Sequence, residues 1–240
     1  MTDPRQSAAV NDRVYVLELD GMEQSAVDLD DPTHLVFDYM RRIGDLIDAL
    51  RPSPPASIRA LHVGGAAMSL PRYVAATRPG SAQIVLEPDE ILIAQVRVEA
   101  PLPRRSGIKV RATDGAAGIR QVRDASQDLV VLDAFDNAQV PAELTSAAFL
   151  GEVNRVLVPG GAFVANLVDR APFARVRSLV AAGRSLGRVV VGAEPPTVKG
   201  RRPGNIVVAC GGVPRAAFGS PSPLEYRIFE GKAVRDTFGA

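Results

Sequence analysis

The chain has a single cysteine, Cys210, among 240 residues. A disulfide within the monomer is excluded, and the apolar, strand-like run around Cys210 marks a buried, inert thiol. Histidine is nearly as scarce. His34 and His62 have no ligand-spaced Cys or His partners, so no structural zinc or other metal is expected. Neither sign of charge is in excess, with 28 Lys+Arg against 27 Asp+Glu and a formal net charge of +1. That balance removes any global electrostatic case for a nucleic acid or an anionic membrane as partner. The basic runs Arg104-Arg105 and Lys199-Gly200-Arg201-Arg202 are short enough to read as solvated loops. No apolar run reaches the roughly 18 residues needed to span a bilayer. The opening MTDPRQSAAVNDR lacks a signal peptide's apolar core. The expectation is a cytoplasmic protein.

What is present is a real core: 46% hydrophobic and 23% charged residues are ordinary for a globular protein. Residues 1–12 are expected to be disordered. RVYVLELD (13–20) alternates as a strand, Gly21-Met22 offers a turn, and 23–30 returns, giving a small N-terminal hairpin. Asp31-Pro32 has the form of a helix start. Leu35, Val36, Tyr39, Met40, Ile43, Leu46, Ile47 and Leu50 follow at helical spacing until Pro52, Pro54 and Pro55. Strands are then expected over 58–63, 82–87, 108–112, 128–133, 161–167, 187–193 and 204–210. Helices are expected over 69–77, 89–98, 114–122, 143–157 and 171–185. This alternation predicts an α/β fold with a mostly parallel seven-stranded sheet flanked by helices, its last two strands closing antiparallel. The expected divisions are 1–57 (start, hairpin and helix), 58–210 (main domain) and 211–240 (C-terminal tail).

In such a sheet, ligands sit beyond the carboxyl ends of the strands. Four strand ends here carry matched chemistry. Gly64-Gly65-Ala66-Ala67 follows the first strand of the main domain, where small residues let a ligand approach backbone. Glu87 ends the second, 22 positions after Gly65 (87 − 65). At that spacing one βαβ unit returns an acid to a ribose. Asp114 follows the third strand in TDG, and Asp133 and Asp136 follow the fourth in LDAFD. Singly, each has a plain alternative: a tight turn, a solvated loop acid or, for Asp114 before Gly115-Ala116, a helix cap. Together and in this order they point to a nucleoside pocket. The helix-turn-strand LVPGG (157–161) and the departure of Gly64-Gly65-Ala66-Ala67-Met68 from G-x-G-x-x-G argue against a dehydrogenase.

These motifs resemble the class I S-adenosylmethionine-dependent transferases with a Rossmann-like methyltransferase fold. Within them, roughly residues 13–170 resemble the spermidine synthase (polyamine aminopropyltransferase) family. The resemblance rests on LELDGMEQS, VGGAAMSLPRY, LEPD, TDG and LDAFD, in that order. It implies polyamine biosynthesis, with aminopropyl transfer from decarboxylated S-adenosylmethionine to an amine acceptor and no metal. It implies that Glu87 holds the ribose hydroxyls and that Asp114, with Gly115 beside it, holds the adenine amino group. Gly64 and Gly65 would line the amino-acid or aminopropyl end, and Gln24 would reach in from the hairpin. Asp133 would act as the catalytic acid-base group, with Asp136 beside it. It further implies a homodimer.

The chemistry suits a carboxylate at 133. An alkyl amine of pKa near 10 arrives as ammonium and must lose a proton before it can attack carbon. The likeness breaks on the amine side. The family's loop acid is missing from Gly64-Gly65-Ala66-Ala67-Met68-Ser69, and its Tyr-His pair is replaced by Phe37-Asp38. Putrescine is therefore not assured as acceptor. Two other classes stay open. A methyltransferase using S-adenosylmethionine itself calls for a basic or donor-rich group near the glycine loop for the carboxylate, and Arg72 is a candidate. A non-catalytic nucleoside-binding or interaction protein of this fold is the other.

Overall fold

The computed structural model describes residues 6–11, 14–19, 22–136, 139–214, 217–218 and 226–239. Strands β1 (Gln6–Asn11), β2 (Val14–Leu19) and β3 (Met22–Asp28) make an antiparallel sheet in that order. The expectation of disorder over 1–12 fails for 6–11, which pair with β2 from Gln6↔Leu19 to Asn11↔Val14. The polar QSAAVN run shows no alternation. Its partner strand supplies the order by satisfying its backbone groups. Gly21 of the expected Gly21-Met22 turn, and Asp20 at the end of the expected strand, lie outside the described residues.

Helix α1 spans Asp38–Ala49, starting later than Asp31-Pro32 suggests. The acids before it are used in turns instead. Asp28 Oδ1 accepts from the amides of Asp30 (3.1 Å) and Asp31 (3.0 Å), and Asp31 Oδ1 accepts from Thr33 N (3.0 Å) and Thr33 Oγ1 (2.6 Å). Such local side-chain bonds give the backbone an alternative to helix. The apolar stripe of α1 is nevertheless real: Tyr39, Met40, Ile43, Leu46 and Ile47 are all buried.

The main sheet follows: β4 (Arg59–Val63), α2 (Ser69–Thr77), β5 (Ala82–Glu87), α3 (Glu90–Glu99), β6 (Ile108–Ala112), α4 (Gly115–Arg120), β7 (Gln127–Leu132), α5 (Ala147–Val156), β8 (Leu157–Asp169), α6 (Ala174–Gly183), β9 (Val189–Ala193), α7 (Pro195–Val198), β10 (Gly204–Gly211), β11 (Arg227–Glu230) and α8 (Lys232–Phe238). The strand order is β11-β9-β10-β8-β7-β4-β5-β6. The β6-β5-β4-β7-β8 block is parallel, and β10, β9 and β11 extend it antiparallel. The expected α/β architecture holds, with eight strands in this sheet among the described residues in place of seven. The extra strand, β11, is four residues long and finds its place only through pairing with β9.

Alternate residues of the central strands feed two cores. α1 and α2 cover one face, where Ile43, Val74, Val131 and Val164 meet. α4, α5, α6 and α8 cover the other, with Ile119, Phe149, Phe163 and Phe238. Phe238 packs edge-on against Phe173 and Phe229, with centroids 5.4 and 5.2 Å away. A third cluster of Tyr15, Leu17, Val27, Ala67, Val96 and Ala100 seats the N-terminal sheet on α3 and the loop after β4. Cys210 is buried, and desolvation pushes its thiol up to about 12, as an inert core residue requires. Among the described residues, no helix is long and apolar enough to cross a membrane.

Candidate active site

β4 and β7 are neighbours in the sheet, but their following helices pack on opposite faces, α2 on one and α5 on the other. A crevice opens where the two connections diverge. It holds a cavity of about 490 Å³, within the range that takes a cofactor-sized ligand. Gly64, Gly65, Glu87, Asp114, Gly115, Asp133 and Asp136 all line it. Residues scattered over 73 positions (136 − 64 + 1) are thus brought together by topology. Gln24 stands in β3; its side chain lies outside the described part of the structure.

Gly64 has φ +93°, and a Cβ there would lie 2.2 Å from the carbonyl oxygen of Asp133. Only glycine lets the loop turn this close to the end of β7. Gly65 and Ala66 donate backbone N–H to Glu87 Oε2 at 2.9 and 3.3 Å, and Asp89 N donates to Oε1 at 3.1 Å. Glu87 therefore ties the loop to the end of β5 while facing the cavity. Asp114 caps α4 by accepting from Ala117 N at 2.8 Å with Oδ1. The cap and the cavity wall are the same residue. Gly115 has a packing reason of its own, since a Cβ would fall 2.3 Å from Val63 Cγ1.

Asp133 is held by two residues that sequence reading did not connect with it. Tyr39 Oη donates to Oδ2 (3.2 Å) and Asn166 Nδ2 donates to Oδ1 (3.1 Å). Burial pushes the Asp133 carboxyl up to about 6, against the pull of these two bonds. Tyr39 is itself pushed upward by burial and by the Asp133 charge, so its phenol remains a donor. Asn166 was detectable as one amide in the apolar run FVANLV; Tyr39 was concealed within the helical stripe. Replacing Tyr39 by Phe removes one donor to the carboxylate, so Asp133 should titrate above the native value. Carbon-13 NMR titration of the carboxyl reads this directly, and an unchanged or lower pKa contradicts the geometry. Asp136 sits farther out, exposed, where its backbone exchanges two hydrogen bonds with Gln139 (2.8 and 3.0 Å).

Arg72 is not among the residues that line the cavity. It is 4% exposed, and its guanidinium donates to the carbonyls of Ala67 (3.2 Å), Pro101 (3.2 Å) and Ala100. It braces the loop from behind. Among the described lining residues, six are carboxylates (Glu87, Asp89, Asp114, Asp133, Asp136 and Glu143) and none is Lys or Arg. No group of three or more His, Cys, Asp or Glu among the described residues is placed to hold a metal ion.

A mostly parallel sheet with this crevice, glycine turn and strand-end acids has a Rossmann-like fold of the class I methyltransferase type. No family model matches the chain. It is 31% identical over 144 residues to the polyamine aminopropyltransferase of Chromobacterium violaceum, covering 60% of this chain and 53% of that protein. The chain thus spans about half the length of the curated relative it matches. A probable spermidine synthase from Corynebacterium glutamicum has a TM-score of 0.87 and 27% identity over 97% of this chain and 90% of its own. The fold alone is shared with human methyltransferase-like protein 13 in complex with SAH (TM-score 0.59, 19% identity, 79% and 96% coverage). It is shared also with a spermidine synthase in complex with the transition state analogue AdoDATO (TM-score 0.57, 16% identity, 88% and 75% coverage). The chain is thus similar to polyamine aminopropyltransferases over part of their length and to a probable spermidine synthase over nearly all of its own.

Proposed function

We propose that this chain transfers an aminopropyl group from decarboxylated S-adenosylmethionine to a primary amine. The observation that carries the reading is the charge of the cavity: six carboxylates and no Lys or Arg among its described lining residues. A decarboxylated donor brings a sulfonium and an ammonium and no carboxylate, so its charges meet complementary walls. S-adenosylmethionine would bring its own carboxylate into the same acidic space. Arg72, behind the glycine loop, is already committed to three backbone carbonyls.

In this proposal Glu87 receives the ribose hydroxyls and Asp114 with Gly115 the adenine edge. Gly64 and Gly65 line the sulfonium arm, and the resemblance assigns Gln24 to the same end. Asp133 takes a proton from the incoming ammonium. The freed nitrogen lone pair then forms the new N–C bond as the C–S bond breaks, and methylthioadenosine leaves. A base raised to about 6 accepts that proton more readily than an ordinary carboxylate. Asp136 at the rim would attract the cation. Positioning supplies most of the acceleration, because the sulfonium loses charge in the transition state and gives electrostatics little to stabilise. The enzyme so proposed works in the cytoplasm and, as the resemblance implies, as a homodimer.

The test is parallel calorimetric titration with decarboxylated S-adenosylmethionine, methylthioadenosine and S-adenosylmethionine. Tighter binding of the first two is expected. Tighter binding of S-adenosylmethionine would instead favour methyl transfer, and failure of all three would remove both enzyme readings.

A further inference from the structure

The cavity extends beyond the strand ends onto the sheet face covered by α1 and α2. There its lining includes Met40, Leu70, Pro71, Val131 and His62, and His62 is only 1% exposed. Gln83 Nε2 donates to the carbonyl of Pro71 (3.0 Å), which turns Gln83 Oε1 toward His62 Nε2 at 2.9 Å. The imidazole therefore carries its proton on Nε2. Nδ1 is left as a bare acceptor, buried and without a hydrogen-bond partner in the protein. Desolvation pushes the ring pKa down to about 4, so it stays a neutral acceptor near pH 7. A buried acceptor with no partner, in the wall of a ligand cavity, is the kind of group a ligand N–H satisfies.

Its distance from the reacting end has a definite length. His62 is paired in register with Val131, and Asp133 stands two residues farther along the same face. Two residues of strand rise and one interstrand spacing separate their Cα atoms by about 8 Å. A three- or four-carbon chain ending in an amine spans roughly 5–6 Å, a length of the same order. Ala67, where the loop could have carried an acid, is instead fully buried in the apolar cluster under the N-terminal sheet. The nearby Ser25 and Ser69 hydroxyls are engaged with each other (3.0 Å) and with the carbonyl of Ala26 (3.0 Å).

We propose that His62 Nδ1 accepts a hydrogen bond from the terminal primary amine of the alkyl chain held in this cavity, and so selects its length. This rests on the aminopropyl-transfer reading above. The amine belongs either to the donor's aminopropyl arm or to the far end of a diamine acceptor.

The experiment compares wild type with His62→Leu by calorimetry, using three probes. They are methylthioadenosine, which has no alkyl amine, decarboxylated S-adenosylmethionine, and 1,4-diaminobutane added to the methylthioadenosine complex. Methylthioadenosine affinity should stay within about twofold, while one amine probe should weaken by about tenfold. Loss on the nucleoside amine assigns the contact to the donor; loss on diaminobutane assigns it to the acceptor. Nitrogen-15 NMR of the wild-type imidazole, with His34 removed for assignment, covers the case in which the variant does not fold. The Nδ1 resonance should move with the amine probe and hold still with methylthioadenosine. If wild type binds the probes but the variant binds them equally and Nδ1 does not move, the His62 proposal is overturned and the transfer reading stands. If wild type binds none of the three, both fall.

Discussion

Asp133→Asn should abolish most turnover while making the protein more stable at pH 8. Removing the proposed base is expected to lower kcat by about 10²–10⁴ with donor affinity nearly unchanged. The stability gain follows from linkage. In the folded chain the Asp133 carboxyl titrates at about 6, against an ordinary value of 3.8. Above pH 4 the unfolded chain ionises freely, whereas the folded chain must ionise a carboxyl in a desolvated site. Folding stability due to this group is therefore lost as pH rises from about 4 to about 6, and it stays lost above that. Asparagine never ionises. After a discount for solvent in the open cavity, the gain is about 1–3 kcal/mol at pH 8, or roughly 3–10 °C in Tm, vanishing near pH 3. The local bonding permits the substitution: Asn166 Oδ1 has no partner in the native protein, so a flip of that amide offers an acceptor to the new side chain. Paired melting curves at pH 8 and pH 3 with a rate assay check both halves. Lower stability at pH 8 would show that Asp133 is not a destabilised carboxylate. If the chain turns over as proposed, the same titration should make the native rate fall tenfold per pH unit below about 6.

Gly64→Ala should be the most damaging small change in the site. The added methyl meets the Asp133 carbonyl oxygen at 2.2 Å, its carbon at 2.7 Å and Ala134 Cα at 2.8 Å, all backbone, at a φ of +93°. No rotamer relieves a Cβ clash. Either the loop leaves Glu87 or the end of β7 moves. We expect a loss of about 3–5 kcal/mol, near 10 °C in Tm, together with loss of nucleoside binding. Gly151→Ala serves as the control, because nothing lies within 4 Å of its Cβ position. In the middle of α5 that change should be neutral or mildly stabilising. A Gly64→Ala protein as stable as wild type would contradict the close approach of the two strands.

How much of this was legible beforehand depends on how local the cause was. β5 and β6 fall where apolar runs between glycines and charges place them, and α2 has the expected bounds. Their determinants lie within the segments themselves. β1 and α8 were not legible, because QSAAVN and KAVRDTF have little pattern until β2 and the Phe173–Phe229 pair give them a surface. The start of α1 was misread because a capping acid and a turn acid look alike. Asp28 and Asp31 use their oxygens on turn amides. In the site, the strand-end acids were visible through their spacing. Tyr39 and Asn166 were not, since they reach Asp133 across 94 and 33 positions. His62 read as one polar residue in a strand, and its meaning came only with the cavity beside it.

The most direct measurement is a product analysis of the purified chain with decarboxylated S-adenosylmethionine and a panel of primary amines, in parallel with S-adenosylmethionine. The account predicts equal amounts of methylthioadenosine and an aminopropylated amine from the first mixture. It predicts no methylated amine from the second. A methylated acceptor with S-adenosylhomocysteine, and no methylthioadenosine from the decarboxylated donor, would contradict it.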